Sequence, residues 1–328
     1  MRNAVIFLLA LGASSAVLTA FAPFPNLGNL WRKYHHLREH GDRYSVIYLG
    51  SSRVFHEFIP EQFDEELAKR GFQARSFNFG QDGMWPPESF YMLREILTLR
   101  PANLRWVLVD LMGIKAELEG NETTLRAVHW HDLYHAWLAC RHAMEVDMEG
   151  QRSFGEKADL CWRHVNLWAQ RSTGLGQGHE QLELVLKLQR KKNPAPVLDG
   201  GFERAGAGPL TGGMRAMFDR SVARLKRNPP GKPIQPVLRE ALERVIAEVR
   251  AAGAEPLFVV AAGIYGAERF SDWPPAGVHV LRFDDPNRFP DLYDPAERYD
   301  PHHLDTEGAR KFTRHLAEQF SMVLERKP

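Results

Sequence analysis

At 328 residues, with 44% hydrophobic and 11% aromatic side chains, the chain has ample apolar content for a packed core and room for one large domain or two. A net charge of +1 gives no global field for nucleic acid. The basic runs Arg190-Lys191-Lys192 and Arg224 with Lys226 and Arg227 read as solvated helix ends. Two cysteines, Cys140 and Cys161, lack a Cys-x-x-Cys pattern, which speaks against thioredoxin-like chemistry and structural zinc. A bridge between neighbouring helices and two free thiols both remain open.

The N-terminus comes first in chain order. Arg2 precedes an uncharged stretch from Asn3 to Leu30, and its apolar part, Ala4 to Ala22, is long enough to cross a bilayer. A signal anchor or signal peptide is expected over 1–30. Thr19-Ala20-Phe21-Ala22 offers a small-x-small cleavage pattern, but Pro23 would follow the cut and the apolar run is long for a signal, so an uncleaved anchor is favoured. A buried core helix is the third reading. Arg32, Lys33 and Arg38 make the far flank as basic as the near one, so charge alone does not orient the segment.

Strands and helices then alternate. Ser45 to Leu49 reads as a short buried strand, Pro60 to Arg70 as a helix stopped at Gly71, and Ala74 to Phe79 as a second strand. Pro87 to Leu99 reads as a helix and Trp106 to Leu111 as a third strand, apolar enough to be buried on both faces. After an interruption the pattern resumes with a helix from Pro236 to Ala252, strands at Pro256 to Ala261 and Val278 to Phe283, and a closing helix from Thr306 to Glu325. The expected fold is α/β, a doubly wound, mostly parallel five-stranded sheet, with its ligand site beyond the carboxyl ends of the strands.

Between about 115 and 233 the rhythm breaks. Trp130, Leu133, Trp137, Cys140, Leu160, His164, Leu167 and Trp168 suggest two or three amphipathic helices, followed by a Gly/Pro-rich loop from Asn193 to Gly213. This is read as a helical insertion into an α/β domain spanning 31–328, serving as a lid or substrate cap, or as a bracket on the sheet or membrane.

Gly50-Ser51-Ser52-Arg53 follows the first strand, Asn78-Phe79-Gly80-Gln81-Asp82-Gly83 the second, and Asp300-Pro301-His302-His303 precedes the last helix. In this order and placement the motifs resemble the SGNH (GDSL-like) hydrolase superfamily. With Gly-Ser-Ser in place of Gly-Asp-Ser, they are similar to its membrane-linked branches, including proteins of alginate O-acetylation and teichoic-acid D-alanylation. The resemblance covers roughly Ser45 to Gly113 and Glu255 to Leu324.

The resemblance implies Ser52 as nucleophile, His303 as base and Asp300 as its orienting carboxylate, with Ser51 and His302 as the neighbouring rivals. It implies an oxyanion hole from the amides of Ser52 and Gly83. A hydroxyl needs such help, because it is a poor nucleophile until an imidazole takes its proton. The third block departs from the family: Asp110-Leu111-Met112-Gly113-Ile114-Lys115 holds no asparagine to donate to the oxyanion. Asn78 and Arg53 are candidate replacements or substrate-binding residues, and Arg53 is equally readable as a surface salt bridge.

A rival constellation, His129-Trp130-His131-Asp132 with His135, would place His131 and His135 on one helix face as metal ligands often are. It lacks a clear further ligand, and Asp132 also suits a helix N-cap. No metal site and no cofactor are expected. Asn121-Glu122-Thr123 is formally a glycosylation sequon, and the acidic Asp284-Asp285 and Asp291 to Asp294 suggest calcium but read more simply as Pro-rich turns.

The resulting expectation is an extracytoplasmic serine esterase or O-acyltransferase in a bacterial envelope, anchored to the inner membrane, or secreted if the signal is cut. It would act on acyl, above all acetyl, esters of a cell-surface carbohydrate. The alternative is a catalytically weak SGNH-like binding or assembly module in envelope polysaccharide export.

Overall fold

The computed structural model describes residues 3, 6–7, 10, 12–15, 17, 24–118, 122–146, 152–174, 197, 199–206, 210–227, 230–264 and 269–326. Among the described residues no helix is long and apolar enough to cross a membrane. Most of the expected segment 4–22 lies outside them, as do Asn121 of the sequon, Arg190-Lys191-Lys192 and, within 193–213, residues 193–196, 198 and 207–209. The chain divides into two compact units, one of residues 1–32 with 114–196 and one of 33–113 with 197–328.

The larger unit holds five parallel strands, β1 (Val46–Gly50), β2 (Ser76–Gly80), β3 (Trp106–Asp110), β4 (Glu255–Val260) and β5 (His279–Arg282), in the order β2-β1-β3-β4-β5. This is an order of doubly wound sheets, with the switch point between β1 and β3. β1, β2 and β3 are buried along their whole length, as their near-continuous apolar sequence requires when helices cover both faces.

Short helices connect them. α1 (Asn29–His40) precedes β1, and α2 (Ser52–Glu57) follows it at once. α3 (Pro60–Ala68) opens on a proline, which lacks the N–H that a first turn leaves unpaired anyway. α4 (Glu88–Thr98) joins β2 to β3. The short helix α2 escapes sequence reading because six residues are too few to show a helical period. Lys33, expected as part of a basic membrane flank, is instead 1% exposed: its Nζ donates to Gly80 O at 2.7 Å and lies 4.2 Å from the Phe55 ring centroid.

In the other unit, α5 (Leu125–Trp130), α6 (Leu133–Glu145) and α7 (Phe154–Thr173) supply the expected amphipathic helices. α7 starts with a capping box between Ser153 and Glu156, which satisfies amides at both ends of the first turn. The larger unit resumes at residue 197. From 199 the chain runs beside β2 and α2, where Glu203 N donates to Phe55 O at 3.2 Å. α8 (Gly212–Lys226) then adds Phe218 and Leu225 to the sheet's core.

α9 (Pro236–Ala251) buries Val237, Leu238, Ala241, Leu242, Val245, Ile246 and Val249, the i, i+3/i+4 stripe of a sheet-covering helix. After β5 come a small antiparallel pair, β6 (Arg298–Asp300) and β7 (His303–Leu304), and then α10 (Thr306–Glu325). Asp305 caps α10 by accepting from the amides of Glu307 and Gly308, each at 2.9 Å.

Candidate active site

Two places in the larger unit converge. The first is the turn at the carboxyl end of β1. Gly50 lies so close to β3 that a Cβ there would stand 2.4 Å from Asp110 Cβ, so only glycine lets the strand end against its neighbour. Ser51 then caps α2, its Oγ accepting from Arg53 N at 3.3 Å and donating to Asp110 Oδ2 at 2.8 Å. Ser51 is 2% exposed and turned inward. Ser52, the first residue of α2, is half-buried and points the other way.

The second is the β6–β7 pair. Asp300 and His303 are directly paired across the turn Pro301-His302, which sets carboxylate and imidazole side by side. Asp300 Oδ1 accepts the amides of His302 and His303 at 2.7 and 2.9 Å, and Oδ2 accepts from His303 Nδ1 at 2.8 Å. Because a carboxylate can only accept, Nδ1 carries the proton and Nε2 presents a lone pair. Ser52 Oγ stands 2.7 Å from that Nε2. Burial works to raise the Asp300 carboxyl, but the His303 bond and the two amides outweigh it and hold it below the usual range. His302 meets His303 only edge-on, at 6.4 Å between ring centroids, and burial lowers its imidazole.

Several groups that the sequence does not flag fix this geometry. Tyr299 stacks on His303 at 5.3 Å and 16°. Arg298, fully buried, donates to the carbonyls of Ala262, Leu292 and Pro301 at 2.6, 2.8 and 3.3 Å, clamping the loop that carries the histidine. Glu57, at the far end of α2, accepts from Leu304 N at 3.1 Å. The one visible signal is Asp110, a charged residue closing an otherwise apolar buried strand at the switch point.

The oxyanion candidates separate. Neither Ser52 N–H nor Gly83 N–H is taken up by a hydrogen bond among the described residues. Gly83 has φ +65° with open space where a side chain would go, so backbone conformation rather than clearance calls for glycine. Its loop is tied to α2 through Asp82 Oδ1, 3.0 Å from His56 Nε2.

The Asn78 side chain is engaged by the main chain. It is fully buried, its Nδ2 donates to Val54 O and Phe58 O at 2.7 Å, and its Oδ1 accepts from Gly80 N at 2.8 Å. Its amide holds α2 against β2. Arg53 is 3.9 Å from Asp110 Oδ2 with its side chain 10% exposed, so its ion pair is largely buried rather than on the surface.

The histidine cluster resolves differently from the helix-face expectation. α5 stops at Trp130, His131 lies between helices and Asp132 caps α6, so His131 and His135 do not share a helix. His131 Nε2 and His164 Nδ1 face each other at 2.9 Å, and His164 Nε2 and His131 Nδ1 turn to the carbonyls of Ala116 and Ala127. Among the described residues no group of His, Cys, Asp and Glu is arranged to hold a metal. Asp284 is neutralised by Arg269 and Arg282, each at 2.9 Å.

No protein-family model matches this chain, and no curated protein matches it.

Proposed function

We propose that this protein is an SGNH-type serine esterase or O-acyltransferase with a flavodoxin-like core. The observation that carries the reading is the continuous line Ser52 Oγ to His303 Nε2 at 2.7 Å and His303 Nδ1 to Asp300 Oδ2 at 2.8 Å. Ser52 Oγ attacks the ester carbonyl while Nε2 takes its proton. Asp300 holds the tautomer and stabilises the imidazolium that forms. The amides of Ser52 and Gly83 donate to the oxyanion. Collapse of the tetrahedral intermediate expels the alcohol, which receives the proton from Nε2 and leaves an acyl-Ser52. Water or a sugar hydroxyl then attacks the acyl group, giving its proton to Nε2, and collapse of the second tetrahedral intermediate breaks the acyl–Ser52 bond as Nε2 returns the proton to Ser52 Oγ.

The substrate we propose is an acylated, above all acetylated, cell-surface carbohydrate. The setting is the outer side of a bacterial inner membrane, with the apolar stretch 4–22 as anchor or signal. The resemblance of the three motifs supports both. A second reading, a catalytically weak binding or assembly module, draws support from the commitment of Asn78 to the main chain and from the lack of an asparagine after β3, which leave no identified side-chain amide for the oxyanion.

Fluorophosphonate labelling separates the two. Labelling of the wild type, lost in Ser52→Ala and His303→Ala but kept in Ser51→Ala and His302→Ala, supports the enzyme. An unlabelled wild type that is folded by circular dichroism sinks it.

A further inference from the structure

Cys140 in α6 and Cys161 in α7 face each other across the helical hairpin. Cys140 Sγ donates to Cys161 O at 3.5 Å, and Cys161 Sγ donates to Cys140 O at 3.4 Å. These reciprocal bonds set the two cysteine side chains next to one another across the hairpin. Both cysteines are free and half-buried. Helical spacing puts Trp137 and Met144 on the face of α6 that carries Cys140, and Val165 on the face of α7 that carries Cys161. All three are exposed, so the pair opens towards solvent rather than towards a sealed core.

We propose that Cys140 and Cys161 are a disulfide-forming pair that staples α6 to α7, with a small-molecule or protein disulfide as the oxidant. Burial, and Cys161 beside it, push the Cys140 thiol up to about 12. One of the two cysteines, as its thiolate, attacks one sulfur of the oxidant, forming a mixed disulfide and releasing one thiolate. The other cysteine, giving its proton to solvent, attacks the sulfur of the first. That breaks the mixed disulfide, forms the Cys140–Cys161 bond and releases the second thiolate. Two electrons pass to the oxidant and two protons to solvent. The bridge closes a loop of about 20 residues, long enough to restrict the unfolded chain substantially. This inference stands apart from the esterase reading, since no group of the candidate site takes part.

The test uses the full chain with oxidised glutathione at pH 8.5, acid quenching, maleimide capture of remaining thiols, and peptide mapping without reductant. The expected result is a monomer lacking two hydrogens, a linked peptide pair containing Cys140 and Cys161, and a melting temperature several degrees above that of the reduced protein. Cys140→Ser and Cys161→Ser should each lack both the linked peptide pair and the rise in melting temperature. Maleimide capture of both cysteines after equilibration, or links formed only between molecules, overturns the proposal.

Discussion

Glu57 and His303 are tied through one main-chain bond: the buried Glu57 carboxylate accepts the N–H of Leu304, the residue after the histidine, at 3.1 Å. α2 thus carries the serine at its first residue and grips the histidine's strand at its last. Burial raises the Glu57 carboxyl to about 7, against the opposing pull of His303 and Arg298. Between about 4.5 and 7 the folded state therefore holds a proton that the unfolded state has lost, and stability falls as pH rises through that window. Glu57→Gln keeps an acceptor for Leu304 and removes the titration. Urea unfolding should find it about 3 kcal/mol more stable than wild type at pH 8, with the difference fading towards pH 4.5. An equal offset at both pH values contradicts the assignment.

Asp300→Asn leaves the two amide bonds to the loop possible but offers an amide where His303 Nδ1 needs an acceptor. Ester hydrolysis should fall on the order of 10³- to 10⁴-fold with the melting temperature little changed. A loss under tenfold in kcat/KM would show that Asp300 does not orient the base.

Ser51 and Ser52 are adjacent but should respond differently. Ser51→Ala removes the hydroxyl from Asp110 Oδ2 while Asp110 Oδ1 is already buried without a partner, so stability should drop by about 1–3 kcal/mol. Labelling by fluorophosphonate should persist. Ser52→Ala should have the opposite profile, with stability near wild type and labelling abolished; a Ser51→Ala protein that is folded but unlabelled would reverse the choice of nucleophile.

Acid should loosen the helical unit first. Burial lowers His142 to about 4, and lowers His131 and His164 to about 3 and about 4. The facing nitrogens of His131 and His164 leave space for one shared proton at most. Below about 6.5 the unfolded chain therefore binds at least one more proton at His142 and one more at the pair. Stability should decline as pH falls from 6.5 towards 4, by about 1.4 kcal/mol per pH unit for each. Hydrogen exchange in α6 and α7 should accelerate over that range before exchange in β1 and β3. His142→Gln should flatten part of the slope, and an unchanged slope would remove His142 from the account.

Much of the fold is legible in the sequence because its signals are local. Apolar runs such as Trp106 to Asp110 mark strands buried on both faces, and the Leu238, Leu242, Ile246 and Val249 spacing marks a sheet-covering helix. Pro60 and Pro236 open helices where their missing N–H costs nothing. α2 stayed hidden because it is shorter than two turns, and α8 was marked only at its basic end, Arg224 with Lys226 and Arg227, because it follows a Gly/Pro-rich stretch and buries few of its residues.

The sequence by itself determined that Gly50-Ser51-Ser52 ends the first strand and that Asp300 and His303 stand three apart before the last helix, because these are matters of neighbours along the chain. Only the tertiary structure decided that Ser51 turns to Asp110 while Ser52 turns to His303, that Asn78 spends its amide on α2, and that Lys33 is buried against Gly80. Those outcomes depend on where each Cβ points once the sheet twists and which distant polar group lies opposite. A buried polar atom must find its partner across the fold, and spacing along the chain carries no record of that choice.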